Sequence, residues 1–523
     1  MDSRPQVSAG GAGRCKVHIH PSGCVLQRAY SNALGSVGRC VCLSEGWQTD
    51  RRVAYHRRLS NCGSRERLPL AIGGDGVVST VTRATFRGGI HPRDYKELTK
   101  DRSILLLDPP EEVCIPLLQH LGAPCSSLVK RGERVLKGQK IGESDQRLSA
   151  PVHSSVAGKV KRVDEVELPG GIRAEAVLIE NDGSEESAYE AGQVGDPFSM
   201  SPEEVTAEIR ESGVVGMGGA TFPTHFKLNV PDRDRIHSAI VNGVECEPYL
   251  TADHRLMLEE TESVVHGIQV VMHVLQVKVA YLGIESNKPD AISAMERATA
   301  LISGITVVPL EVKYPQGAEK QLIQAILKKE VPPGGLPMDV GTVVTNVGTC
   351  SAISRVFTSG APLMERVATV SGSVISSPSN VRGRIGTSLQ SLVDSCGGLS
   401  APLGKLVIGG PMMGIAHHSL DTPLTKGMSG VLCFSESESR THAETACLRC
   451  GRCLRACPMG LMPGVLADIS ESGDIDALSA SRVKDCMECG SCAFVCPAQK
   501  SVVQSIRLGK RRLAAAERKR RQS

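Results

Sequence analysis

Eight cysteines toward the C-terminal end of the chain stand at a spacing that serves one chemistry. Cys447-Leu-Arg-Cys450-Gly-Arg-Cys453-Leu-Arg-Ala-Cys457-Pro458 is followed by Cys486-Met-Glu-Cys489-Gly-Ser-Cys492-Ala-Phe-Val-Cys496-Pro497. Each run reads C-x2-C-x2-C-x3-C-P, the pattern that ligates a pair of [4Fe–4S] clusters, with the fourth cysteine of each run serving the neighbouring cluster. The spacing therefore predicts Cys447, Cys450, Cys453 and Cys496 on one cluster and Cys486, Cys489, Cys492 and Cys457 on the other. Structural zinc favours two separated cysteine pairs, and a disulfide framework does not ask for a trailing Cys-Pro, so neither accounts for a four-cysteine run written twice. Two clusters this close imply transfer of single electrons.

A second constellation lies in the middle of the chain. Gly213-Val-Val-Gly216-Met-Gly218-Gly219-Ala-Thr-Phe222-Pro223-Thr-His225-Phe-Lys227 is dense in glycine, which lets backbone N–H groups approach a phosphate without a Cβ in the way, and Lys227 can add a point charge. It is not the dinucleotide fingerprint, because no strand leads into it and no G-x-G-x-x-G is present. The next apolar run, Ala239-Ile-Val-Asn242-Gly243-Val-Glu245-Cys246-Glu247, reads as a strand ending in Asn and Glu at its C-terminal tip, where ligands of α/β sheets sit. Acceptors there suit ribityl hydroxyls or nicotinamide, whereas two free carboxylates make a poor phosphate site. Cys246 reads as a small packing residue. His417-His418 and Cys433 read as ordinary polar and apolar positions, since no further metal ligand stands at a suitable spacing.

Three or four domains are expected to position these groups in a chain of 523 residues. A hydrophobic fraction of 41% supports real cores, while 3% aromatic residues and a formal charge of +4 argue against a base-stacking or nucleic-acid role. Nineteen cysteines without framework spacing suggest a reducing compartment. Residues 1–84, rich in arginine and holding Cys15, Cys24, Cys40, Cys42 and Cys62, read as a divergent, disordered extension. Glycine-punctuated strands over 85–190 predict a small β-sandwich resembling the hammerhead of biotinyl and lipoyl domains, without their modified-lysine hairpin. Pro202 to Ser212 is an amphipathic helix with Ser201 as N-cap, and it opens an α/β region over 200–365. Val264 to Ile284 carries too many polar residues to span a bilayer and reads as a helix running into a buried strand. Short apolar runs over 366–420, with a helix from Ser388 to Ser395, suggest a small β domain. The cysteine runs occupy an α-helical module over 438–508, and 509–523 form a basic tail that reads equally as a solvated, partly helical end or as a dock for a partner or anionic lipid.

Taken in order, Gly213–Lys227, Asn242–Asp253, Tyr314-Pro-Gln-Gly317-Ala-Glu319, Thr345–Thr349, Val407–Gly414 and the two cysteine runs resemble the C subunit of the Rnf ion-translocating oxidoreductase, from Phe86 to Arg512. They are more distantly similar to the NADH-binding subunit of respiratory complex I. The resemblance implies a multidomain α/β and β fold: a barrel-sandwich hybrid, an α/β FMN/NADH domain, a β-grasp domain of SLBB type and a two-cluster ferredoxin domain. It implies that Gly216, Gly218, Gly219 and Lys227 hold the FMN phosphate. Asn242, Glu245, Glu247, Tyr314, Gly317, Glu319 and Asn346 would line the flavin and NAD(H). Met217, Val244, Ala318 and Thr345 depart from the complex I pattern, each removing a polar contact.

The implied activity is electron transfer between NAD(H) and ferredoxin by a peripheral subunit on the cytoplasmic face of the inner membrane, held by the membrane and iron–sulfur subunits of an Rnf-type complex. No protein side chain acts as a catalytic acid or base in that scheme, because FMN and the clusters carry the chemistry. The alternative is a soluble NADH-dependent flavin/iron–sulfur reductase such as a cobalamin reductase. In that relative the glycine-rich loop comes near the N-terminus, whereas here a β-sandwich precedes it.

Overall fold

The computed structural model describes residues 84–440 and 443–522, so the readings made for residues 1–83 lie outside the described residues. Between 112 and 181 the short alternating strands pair antiparallel. Glu112–Pro116, Ile172–Asn181, Gly158–Leu168 and Arg134–Val135 form one sheet in that order, and Ser126–Ser127, Lys140–Glu143 and Val152–His153 form a second. Val113, Ile115, Val135, Ile141, Val152, Val177 and Ile179 pack in one core.

Helix Pro202–Glu211 starts where its cap residues dictate. Ser201 Oγ accepts the Glu204 N–H, and the Glu204 carboxylate accepts the Ser201 N–H at 2.7 Å, a reciprocal capping box. The strands that follow are all parallel, in the order Ile305–Leu310, Ala280–Glu285, Ser238–Asn242, Thr342–Asn346. The chain lays down two strands on one side of Ser238–Asn242 and then returns to place Thr342–Asn346 on its other side. That reversal is the switch point at which the carboxyl ends of parallel strands leave a crevice. Register sets Asn242 beside Asn346 there. Val264 to Ile284 becomes all but the first residues of helix Thr261–Leu275 and most of strand Ala280–Glu285. Among the described residues, no helix is long and apolar enough to cross a membrane.

A six-stranded mixed sheet follows, ordered Leu105–Leu106, Ser379–Arg384, Glu365–Ser371, Gly430–Ser435, Leu403–Ile408 and Ile415–His417. Helix Leu389–Ser395, capped by Ser388, packs on it through Leu389, Leu392 and Val393. Two of these strands, Leu105–Leu106 and Gly430–Ser435, come from outside 366–420. Gly430–Ser435 pairs parallel to Glu365–Ser371, and the pairing buries Val370 and Val431 together.

The cysteine-rich module is built from helices Arg452–Ala456, Pro463–Ser472, Ile475–Ala480, Ser491–Phe494 and Val502–Gln522 around Leu466, Leu478, Val483, Ile506 and Leu513. The last helix runs unbroken through the boundary expected at 508/509. Leu513 is 2% exposed, Lys510 donates to the Cys486 carbonyl, and Arg512 donates to the Ser470 carbonyl. What reads as a basic tail is therefore largely a structural helix of this module. Its arginines and lysines read as solvated because charge patterning alone does not show which of them reach back to carbonyls.

Candidate functional site

The two cysteine runs fold alike over their first half. Arg449 and Glu488 both sit at positive φ, 50° and 61°, and Gly451 and Gly490 follow at 69° and 77°. These left-handed residues wrap the backbone so that its amides face sulfur. The Arg449 N–H points to Cys447 Sγ and the Glu488 N–H to Cys486 Sγ, each at 3.4 Å. Such N–H···S contacts are among the levers that tune a cluster's potential.

Their surroundings differ. Cys457, Cys486, Cys489 and Cys492 line one hollow, closed by Leu466, Val503 and Ile506. These four are the set that the spacing assigns to one cluster, and they come from both runs. Burial, followed by backbone amides that pull back, leaves the Cys457 and Cys486 thiols above their ordinary range. Burial and then the neighbouring Cys489 push Cys492 up to about 12. Four thiolates crowded in an apolar hollow repel one another unless cationic iron stands between them, so the donor set suits a [4Fe–4S] cluster. Cys447 and Cys450 are exposed, and Cys453 and Cys496 are half-buried. Leu448 and Phe494 nearby are 65% and 56% exposed.

The second run is tied to the rest of the protein by Tyr314, which is 1% exposed and donates its hydroxyl to the Cys489 carbonyl at 2.8 Å. The Tyr314 backbone exchanges hydrogen bonds with Ile90 at 2.8 and 2.9 Å, and the Gly89 N–H donates to the Ala456 carbonyl at 3.0 Å. Gly88, at φ 81°, approaches so closely that a Cβ would stand 2.7 Å from the Cys457 carbonyl oxygen. The paired glycines at 88 and 89 were the sequence signal for this wedge, which reading by periodicity missed.

At the switch point, the glycine-rich loop is pinned from both sides. The Met217 N–H donates to Thr349 Oγ1 at 2.9 Å, and the buried Arg366 guanidinium donates to the Met217 carbonyl at 2.7 Å. Gly218 lies against Asn346, and Gly219, at φ 100°, would point a Cβ into open space. That opening is the room a phosphate or ring needs near backbone amides. Asn346 caps helix Val347–Ser359 through its Oδ1 and donates Nδ2 to Asp253 at 2.6 Å. Asn242 donates to the Gly317 carbonyl at 2.8 Å and accepts the Val244 N–H. Lys227 pairs with Glu319 at 2.7 Å. Direct contacts thus link Gly218 to Asn346, Asn346 to Asn242, and Asn242 to Gly317.

The two glutamates make contacts that the strand-tip reading did not include. Glu245 accepts the N–H groups of Asp253 and His254 at the start of helix Ala252–Glu259, at 2.7 and 3.2 Å. Glu247 accepts those of Met412 and Met413 at 3.0 and 2.9 Å, where a Cβ on Gly410 would collide with its carboxylate. Burial raises Glu247 to about 7, although those amides, Lys96 and Tyr314 pull the other way. Burial and the Glu245 charge raise Asp253 to about 7. Burial pushes the Cys246 thiol far up, and its sulfur accepts the Gly317 N–H, as suits a packing residue. Thr349 and Arg366 carried no signal of their own in the sequence. His417 bonds to Thr422, and the exposed His418 stands 3.9 Å from Glu167 of the long hairpin, a carboxylate so distant in the chain that spacing does not reveal it.

Four family models match along the chain: the RnfC barrel sandwich hybrid domain over residues 84–184, the Nuo51 FMN-binding domain over 209–355, the SLBB domain over 367–416 and the 4Fe-4S dicluster domain over 446–501. The chain is 46% identical to the C subunit of the proton-translocating ferredoxin:NAD(+) oxidoreductase complex of Clostridium ljungdahlii, over 74% of this chain and 84% of that protein. It is 43% identical to the C subunit of the Na(+)-translocating ferredoxin:NAD(+) oxidoreductase complex of Acetobacterium woodii, over 84% of this chain and 99% of that protein. It is 38% identical to the C subunit of the ion-translocating oxidoreductase complex of Rhodobacter capsulatus, over 82% of this chain and 83% of that protein.

Proposed function

This chain belongs to the family formed by the C subunits of ion-translocating ferredoxin:NAD(+) oxidoreductase complexes, and from that premise we propose that it passes electrons between NAD(H) and the ferredoxin side of an Rnf-type complex. It is an oxidoreductase subunit whose cofactors are FMN and two [4Fe–4S] clusters. When bound, FMN would supply the conversion between the electron pair of a nicotinamide hydride and the single electrons that clusters carry. The protein's own share is to bind, orient and shield. The glycine-rich loop of Gly216, Gly218 and Gly219, with Lys227, holds the FMN phosphate: the Gly216 N–H closes the loop on the Phe222 carbonyl at 2.8 Å, and Gly219 leaves the opening beside it. Asn242, Glu245, Glu247, Tyr314, Gly317, Glu319 and Asn346 line the flavin and nicotinamide. Lys227 must share or release Glu319 to meet a phosphate, so phosphate binding and the Lys227–Glu319 pair are coupled.

The observation that carries this reading is the Tyr314 hydroxyl on the Cys489 carbonyl. One buried side chain joins the crevice at the switch point to the inner cysteine run. The outer run, with Cys447 and Cys450 at the surface, faces whatever accepts or supplies electrons outside. That directs the outer run toward the partner subunits and, through them, ferredoxin. Near-complete coverage of the Acetobacterium protein supports a complex subunit over a soluble cobalamin-type reductase. Attachment at the cytoplasmic face through membrane partners accords with the lack of a spanning helix among the described residues.

The test is an anaerobic titration with NADH followed by ultraviolet–visible and EPR spectroscopy. Bleaching of bound flavin and reduction of clusters in protein holding about eight iron atoms is expected. Protein without flavin, or protein that stays oxidised under excess NADH, would overturn the reading.

A further inference from the structure

Two lysines that the proposed reaction does not use are among the most deeply buried side chains of the protein. Lys96 is 4% exposed and Lys288 is 0% exposed. Both reach the same short loop, the one that carries Glu245 and Glu247 past the end of strand Ser238–Asn242. Lys96 Nζ donates to the carbonyls of Glu245 at 2.8 Å, of Glu247 at 3.0 Å and of Leu250. Lys288 Nζ donates to the Val244 carbonyl at 2.7 Å, to Asn287 Oδ1 at 3.1 Å and to Glu285 at 3.4 Å. Each nitrogen meets three acceptors, and only the ammonium form supplies three hydrogens. Burial, then the charge on Lys288, pull Lys96 below the ordinary lysine range. The three carbonyls offset that cost.

A loop held this way has its carbonyl dipoles drawn inward over two cations. Glu245 and Tyr249 take positive φ, 47° and 69°, to make the turn. Among the described residues, Glu285 is the carboxylate in direct contact with one of these ammonium groups, and its other oxygen accepts the Lys313 N–H at 3.1 Å. The charges of Glu245 and Glu285 act on Lys96, and Lys96 in turn acts on Glu247, so each lysine offsets carboxylates beside the loop, and charge near a bound flavin shifts its electronics.

We propose that Lys96 and Lys288 are positioning residues that draw the carbonyls of Val244, Glu245, Glu247 and Leu250 into the interior and set the electrostatic bias felt by FMN at the crevice. The inference rests on the reading that FMN binds there. It also assigns a role to the segment 91–99, which sends Lys96 across to the loop. Thr99 Oγ1 fastens the same segment by meeting Thr251 Oγ1 at 2.7 Å.

The experiment compares Lys96→Met, Lys288→Met and Glu285→Gln in the full-length holoprotein, reading the FMN midpoint potential by spectroelectrochemistry and FMN dissociation by fluorescence. Removing either cation is expected to lower the midpoint and to weaken FMN binding about tenfold, ~1.4 kcal/mol. Removing the countercharge with Glu285→Gln is expected to raise the midpoint. Opposite signs are what a loss of packing alone does not produce. Shifts of one sign in all three variants, or an unchanged midpoint, overturn the proposal. If the lysine variants do not fold, an unchanged midpoint in Glu285→Gln overturns it by itself. Wild-type protein that holds no FMN would count against the proposed function instead.

Discussion

The two cysteine runs are near copies with different fates. Over 447–451 and 486–490 the backbone repeats its left-handed turns and its N–H···S contacts. Yet Cys489 and Cys492 are 7% and 8% exposed, whereas Cys447 and Cys450 lie open to solvent. The difference comes from what packs on each run. The inner one meets Tyr314 through the Cys489 carbonyl, Met412 against Gly490, and Lys510 on the Cys486 carbonyl. The outer one has exposed apolar side chains at Leu448 and Leu454. A motif can set how thiolates gather, while its neighbours set whether the site faces inward to the crevice or outward to a partner.

That contrast can be tested most severely with single ligand changes. Cys492→Ser and Cys450→Ser should each lower iron from about eight atoms to about four. Only Cys492→Ser should also lower the thermal midpoint and stop NADH from reducing the remaining cluster, because it opens the buried hollow. Equal behaviour of the two variants in iron analysis, EPR and thermal unfolding would erase the distinction between an inner and an outer site.

Truncation after Gly509 comes next. It removes Leu513 from the core and Lys510 from the Cys486 carbonyl. Loss of one such buried leucine typically costs about 2–5 kcal/mol. Iron should be lost preferentially from the inner site. A truncated protein with full iron content and wild-type stability would show that the last helix is a mere tail after all.

The pH dependence should also single out the inner run, because Glu247 holds the Met412 loop against Gly490. Its carboxyl moves from an ordinary 4.5 to about 7 in the folded protein, chiefly through burial. The native state therefore binds that proton more tightly than the unfolded chain does. Stability from this group is fully present below about 4.5 and is lost as pH rises through about 7, by about 3 kcal/mol. Glu247→Gln should flatten that decline in denaturant titrations run across the window, and an unaltered slope would count against it.

The smallest effect is expected for Tyr314→Phe. It deletes the hydroxyl bonded to the Cys489 carbonyl, a hydrogen bond worth about 1 kcal/mol. Stopped-flow traces should show flavin reduced by NADH at the wild-type rate and inner-cluster reduction slowed. Slowing of both phases would mean that the tyrosine acts on nicotinamide binding rather than on the junction.

Much of the local structure was legible in the residues. Ser201, Pro202 and Glu204 announced a helix start that the capping box realises, and the strand ending at Asn242 was visible from its apolar run. The six-stranded sheet was not. Strands Leu105–Leu106 and Gly430–Ser435 join it from positions far along the chain from their partners, beyond the reach of any periodicity. Glu245 and Glu247 looked like ligand acceptors at a strand tip. Both also take backbone amides, one from a helix start and one from the Met412 loop, and neither donor adjoins them in sequence. Lys96 and Lys288 drew no reading at all, since nothing in a lone lysine foretells a buried set of acceptors.

From the sequence alone came the chemistry: three thiolates spaced to hold one cluster and a fourth before proline to reach its neighbour, twice, and glycines dense enough to admit a cofactor to the backbone. Those depend on residues a few positions apart, where chain connectivity restricts the geometry. Only the tertiary structure decided which run faces inward, which arginine and threonine pin the glycine loop, and which lysines draw its neighbour's carbonyls inward. Burial and hydrogen-bond partners are properties of packing between distant segments, and a linear order of residues does not contain them.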